Sequence, residues 1–106
     1  MNFENTLISA LRDQKMVEIQ FRKETDRDLV DREVAPYDVY DKQDKNGYSR
    51  RVLLGYCWEH KDYEEDPIYI YLDSIESIRS LNTNFDGQDV KRLINPKKLP
   101  NIPRSW

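Results

Sequence analysis

From Val17 onward, apolar residues recur at every second position, and this alternation constrains the fold more than any other feature of the chain. Val17, Ile19 and Phe21 alternate with Glu18, Gln20 and Arg22, and Ile68, Ile70 and Leu72 alternate with Tyr69, Tyr71 and Asp73. A period of two puts the apolar side chains of a segment on one face of an extended strand, so these segments read as half-buried strands. Leu29–Tyr40 reads as a second strand that is bent, bulged or at an edge near Pro36, which has no N–H to give to a ladder. Tyr48–Trp58 reads as a third. Val52, Leu54, Tyr56 and Trp58 make one of its faces, and Leu53 and Cys57 make the other partly apolar, which suits the middle of a strongly curved sheet. Glu76–Leu81 is a short fifth strand. Polar segments separate these runs: residues 24–28, Asn46–Gly47, the charged stretch 59–66, and Asp73–Ser74. Asn46 and Gly47 both tolerate positive φ and predict a hairpin tip.

Ahead of the strands, Phe3, Leu7, Ile8 and Leu11 recur at helical spacing. They predict a helix over 3–14 with Asn2 as N-cap, too short to persist unless its stripe packs on something. One helix and then five antiparallel strands is the layout of an Sm-like small barrel, in which closure hides both sheet edges and lets a small core suffice. An open antiparallel sheet with a helix on one face is the alternative.

Composition narrows the functional classes. At 106 residues the chain is one small domain, and with 35% charged residues its apolar runs are still periodic, which favours a folded domain over disorder. The net charge of −3 gives no global pull toward nucleic acid or acidic membranes. A single cysteine, Cys57, leaves no internal disulfide framework. No apolar run approaches the roughly 20 residues that span a bilayer, and the N-terminus lacks the layout of a signal peptide, so a cytoplasmic protein with no membrane partner is expected. The charge is divided unevenly: residues 90–106 carry +5 and the remainder −8. Pro96, Pro100 and Pro103 prevent one regular element from running through that tail, which is expected to be an extended arm, docked or mobile.

Two segments carry a family resemblance. Arg32–Glu33–Val34–Ala35–Pro36–Tyr37 and Arg51–Val52–Leu53–Leu54–Gly55–Tyr56–Cys57, followed by Leu72–Asp73–Ser74–Ile75, resemble in order and spacing the core of the WYL domain. That family is a regulatory module of bacterial transcription factors and defence-associated proteins. The resemblance covers residues 5–86 and implies an Sm-like small barrel over 1–86, with 87–106 as the basic arm. It also implies a non-enzymatic role in regulation, with an anionic ligand or nucleic acid bound through basic residues. The tripeptide that names the family falls at Arg51–Val52–Leu53, so its Trp and Tyr are absent. Its later basic positions correspond to Ile68, Tyr71 and Ser74.

The candidate sites follow from residue chemistry. Arg32, Arg50 and Arg51, with Tyr37, are the candidate surface for an anionic ligand or nucleic acid, because guanidinium groups fork onto phosphate oxygens. Ordinary strand arginines paired with Glu33 or Asp38 are the competing reading. Tyr37, Tyr40, Tyr69, Tyr71 and Trp58 are candidates for a stacking platform, or simply for core filling. With the isoleucines of the fourth strand inward, Tyr69 and Tyr71 face outward. Together with Trp106 they are the candidate interface for a homo-oligomer or a regulatory protein partner. Cys57 and His60, near Glu59 and Asp62, are too few to converge on a metal, and no phosphate-cradling loop occurs, so no metal, cofactor or catalytic residue is expected. The acidic run Asp62, Glu64, Glu65 and Asp66 reads as a solvated loop.

Overall fold

The computed structural model describes residues 3–58 and 66–106. Its elements are helix α1 (Phe3–Arg12), strands β1 (Lys15–Arg22), β2 (Leu29–Gln43), β3 (Ser49–Cys57), β4 (Asp66–Tyr71) and β5 (Ile75–Asn84), and helix α2 (Gly87–Ile94). The five strands form one antiparallel sheet in the order β4-β3-β2-β1-β5. The five-stranded antiparallel expectation and the leading helix are both met. Asn2, His60 and the acidic residues Asp62, Glu64 and Glu65 lie outside the described residues.

The long strand β2 organises the sheet. Its first half pairs with β1, from Arg22↔Leu29 to Val17↔Val34, and its second half pairs with β3, from Ala35↔Tyr56 to Gln43↔Ser49. The change of partner falls at Val34–Ala35, and the register shifts between Pro36 and Asp38, where Tyr37 is the extra residue. A proline is tolerated there because a bulge leaves a position out of the ladder. The bulge also flips the alternation. Val34 and Val39, an odd number of positions apart, therefore both enter the same core. Gly55 of β3 lies opposite Pro36, and a Cβ there would stand 2.5 Å from Val34 Cγ1 and 2.8 Å from the Ala35 carbonyl.

The two faces of the sheet have separate cores. On one, Val17, Ile19, Val34, Val39, Leu53 and Ile70 pack with Leu7 and Leu11 of α1. On the other, Ala35, Tyr37, Leu54 and Tyr56 pack with Phe85, with Val90 of α2 and with Trp106. That two-sided burial is why β3 has apolar residues on both faces.

Two expectations are corrected. Among the described residues the sheet is not closed: β4 and β5 are its edges and do not pair. A flat sheet of this order would hold them about 19 Å apart at roughly 4.8 Å per strand. Only the 3-10 turn Leu72–Ser74 joins them, and at about 2 Å per residue it covers less than half that distance. The sheet therefore curls, and side chains rather than a backbone ladder tie its seam. Arg50 Nη1 donates to Glu24 Oε1 at 2.7 Å, Arg50 Nε to Asp73 Oδ2 at 3.0 Å, and Ser74 Oγ to Glu24 Oε2 at 2.8 Å. These span the β1–β2 turn, β3 and the 3-10 turn.

The second correction is that the C-terminal segment is not extended throughout. Residues 87–94 are helical, capped by Asp86, whose side chain accepts from Gln88 N at 3.0 Å, and stopped by Asn95 in the left-handed region ahead of Pro96. At the β2–β3 tip only Gly47 takes positive φ, and Asp44 Oδ1 organises the loop by accepting from Asn46 N and Tyr48 N. Among the described residues no helix is long and apolar enough to cross a membrane.

Candidate functional site

The four residues expected to form an anion-binding surface are dispersed. Arg32 shares the pleat face of Val30 and Val34, opposite Ile19, and Nη1 donates to the Asp31 carbonyl at 2.8 Å. Arg51 pairs with Asp41 at the other end of β2, nine residues and about 30 Å of strand away. Arg51 forks onto Glu4 of α1 at 2.9 and 3.1 Å, and the Glu4 carboxylate holds its guanidinium pKa above the ordinary value. Arg50 is likewise consumed internally by Glu24 and Asp73, with its guanidinium 3.7 Å from the centre of the Tyr71 ring. Tyr37 is a core residue, 2% exposed. Asp38, one of the partners expected for these arginines, faces Arg104 instead.

The tail is docked on its own chain. Trp106, expected at an intermolecular interface, donates from Nε1 to the Leu11 carbonyl at 2.8 Å and makes edge contacts with Tyr37 and Phe85. Gly87 admits it: a Cβ at Gly87 would lie 2.5 Å from the indole ring. Ile102 is buried in the α1 core, and Arg12 Nε donates to the Pro103 carbonyl at 3.0 Å. Asp38, itself buried, accepts from Asn101 N at 2.9 Å and Ile102 N at 3.0 Å. The Arg104 guanidinium stacks on Tyr37 and Trp106, and burial lowers its pKa while Asp38 opposes that shift.

What the fold does bring together is the tyrosines of the β2–β3–β4 face. Directly opposed residues of antiparallel strands share a face. Tyr40, Val52 and Tyr71 form one row and Asp38, Leu54 and Tyr69 the next, with Lys42 and Arg50 beyond them. Ile70 points into the α1 core and Tyr69 is 52% exposed, as the alternation required. Lys42 Nζ lies 4.5 Å above the Tyr69 ring. Partial burial, with the neighbouring Tyr69 acting in the same direction, raises the Tyr40 phenol pKa above its usual value. Trp58 is apart from this row, packed edge-on against Tyr56.

Residues 94–101 stand over this face and enclose a groove of about 810 Å³. Tyr40, Tyr69 and Leu54 form its floor and Lys97, Lys98 and Leu99 its rim. Its two carboxylates are already engaged, Asp41 by Arg51 and Asp38 by Arg104 and two backbone N–H groups. Lys97 and Lys98 form no ion pair among the described residues. The groove thus presents aromatic surface and uncompensated positive charge on a chain that is negative overall. Among the described residues no cluster of His, Cys, Asp or Glu is arranged to hold a metal, and Cys57 is buried.

Sequence reasoning flagged Tyr40 and Tyr69 as aromatic and Lys97 and Lys98 as basic, but nothing in the sequence joined them. The groove exists only because the tail folds back over the sheet. No protein-family model matches the chain, and neither curated proteins nor solved structures yielded a match.

Proposed function

We propose that the chain is a non-enzymatic binding module of WYL type, an open, curled relative of the Sm-like small barrel, that engages an anionic ligand carrying planar rings. Single-stranded nucleic acid is the form that best suits the surface. One observation carries this reading: the groove combines Tyr40 and Tyr69 with lysines left free of carboxylates. Aromatic rings stack bases without regard to sequence, and the lysines supply the attraction to phosphate. The strand order and the short β4–β5 link support the WYL-type topology.

A second reading is an assembly subunit, favoured by Leu99, which is 92% exposed on the rim of the groove that Tyr69 also lines. An apolar anchor within a polar rim is how protein interfaces are built. Native mass spectrometry separates the two. Species at 12.8 kDa plus a co-purified nucleotide or oligonucleotide mass support the binding module, and ligand-free multiples of 12.8 kDa support assembly.

A further inference from the structure

We propose that residues 95–106 are a releasable strap, pinned by the Asp38 carboxylate and loosened by the Arg104 guanidinium, whose docking decides whether the tyrosine groove exists. The groove's second wall is the start of this segment, Asn95–Asn101, and the pins that hold it lie immediately downstream. Asp38 spends one oxygen on the N–H of Asn101 and the other on the N–H of Ile102, while Asn101 Nδ2 donates to the Val39 carbonyl at 2.9 Å. Both contacts fix the segment to the bulged stretch of β2. Trp106 closes the far end against Leu11, Tyr37 and Phe85.

Arg104 works against this arrangement. Its side chain is 2% exposed, stacked on Tyr37 and Trp106, and Nε donates to the Ile102 carbonyl at 3.1 Å, yet Nη1 and Nη2 have no hydrogen-bond partner, and the nearest Asp38 oxygen stands 3.5 Å from Nη2. The guanidinium thus approaches the carboxylate without hydrogen-bonding it, while each Asp38 oxygen accepts a backbone N–H. A charged group stripped of water with donors unmet opposes burial, and ion pairs of this kind are often replaced by apolar residues with no loss of stability or with a gain. In water all those donors would be satisfied. Release of the strap therefore hydrates Arg104, exposes Tyr37, Phe85 and Trp106, and removes the wall carrying Lys97 and Lys98. Its consequence for a ligand rests on the binding reading above: an occupant of the groove holds the strap down, and release of the strap discharges the occupant.

The test is run on the full chain with Trp58→Phe, which leaves Trp106 as its one tryptophan. Acrylamide quenching of Trp106 reports docking, and circular dichroism reports the sheet. Asparagine offers one acceptor oxygen where two N–H groups need one each, so Asp38→Asn is expected to raise the quenching constant at least twofold with the sheet signal kept. Arg104→Met, similar in length and uncharged, is expected to leave quenching equal to the parent or lower. Quenching raised by Arg104→Met, or unchanged in a folded Asp38→Asn, overturns the strap. If Asp38→Asn does not fold, Arg104→Met decides alone by the same sign. Oligothymidylate binding is read separately: Asp38→Asn is expected to weaken it at least fivefold and Arg104→Met to preserve it. A parent that binds no oligothymidylate refutes the binding module, while quenching still decides the strap.

Discussion

Arg50 lies over the face of Tyr71, its guanidinium 3.7 Å from the ring centre, while the same group forks onto Glu24 and Asp73. One side chain of β3 thereby joins β4, the β1–β2 turn and the 3-10 turn across the open seam of the sheet. The predicted role is structural. Arg50→Ala should lower unfolding free energy by about 1–2 kcal/mol, because it removes a ring contact and the ion pairs of two carboxylates that are themselves largely solvent-exposed. Arg50→Lys should recover only part of this, since an ammonium cannot fork onto both carboxylates while lying flat on the ring. Urea unfolding checks both, and full stability in Arg50→Ala would remove the seam from the account.

The seam should also be acid-sensitive. The hydrogen bond from Arg50 holds the Glu24 pKa below its ordinary value, with Ser74 helping and burial opposing. A carboxylate whose folded pKa is depressed adds stability that is fully present above its unfolded pKa, about 4.3, and is lost as pH falls through the folded value. Glu24 is 44% exposed, so solvent screens the effect to about 0.5–1 kcal/mol. Urea midpoints of the parent and of Glu24→Gln should differ at pH 7 and draw together as pH falls from there through the lowered Glu24 pKa. A difference that stays constant across that range would contradict the assignment.

Gly55 of β3 leaves no room for a side chain against β2. A Cβ there meets Val34 Cγ1 at 2.5 Å and the Ala35 carbonyl at 2.8 Å, and the carbonyl belongs to backbone that cannot move aside alone. Gly55→Ala should destabilise by about 1–3 kcal/mol, the usual cost of overfilling a packed site. Thermal unfolding should show a fall of about 4–8 °C per kcal/mol for a domain near this size. An unchanged melting temperature would mean that the bulge at Pro36–Asp38 can open freely.

How much of this was legible in the sequence depends on range. The alternations at Val17–Phe21 and Ile68–Tyr71 placed β1 and β4 because the signal is local, and Pro36 marked the bulge because a missing N–H has few places in a sheet. Helix α2 was overlooked although its signals are present: Asp86 as N-cap, Val90, Leu93 and Ile94 on one side, and Asn95 before Pro96. Asp86–Gly87 reads equally as a turn, and eight residues are too few for periodicity to outweigh it. Arg32, Arg50 and Arg51 looked alike in sequence. Their fates differ because β2 carries Arg32 and Arg51's partner at opposite ends, and because Glu4, Glu24 and Asp73 converge on two of the arginines from distant segments. The groove was invisible for the same reason, since its lysines and tyrosines meet only after the tail docks.

The most direct measurement is fluorescence anisotropy of a short labelled oligothymidylate titrated with the parent, with Lys97→Ala/Lys98→Ala, with Tyr69→Ala and with Arg51→Ala, at several salt concentrations. The account predicts binding that weakens as salt rises, and a salt slope reduced by about 1.4 when both lysines are removed, at roughly 0.7 per phosphate contact on a single strand. It also predicts an affinity loss of about 1–3 kcal/mol for Tyr69→Ala, the usual worth of one stacked base. Arg51→Ala should weaken binding less than either change, because its guanidinium is committed to Glu4 and Asp41 and its loss only frees the Asp41 carboxylate at the groove wall. No binding by the parent at low salt, or binding that falls with Arg51 and not with Lys97, Lys98 and Tyr69, would contradict the account.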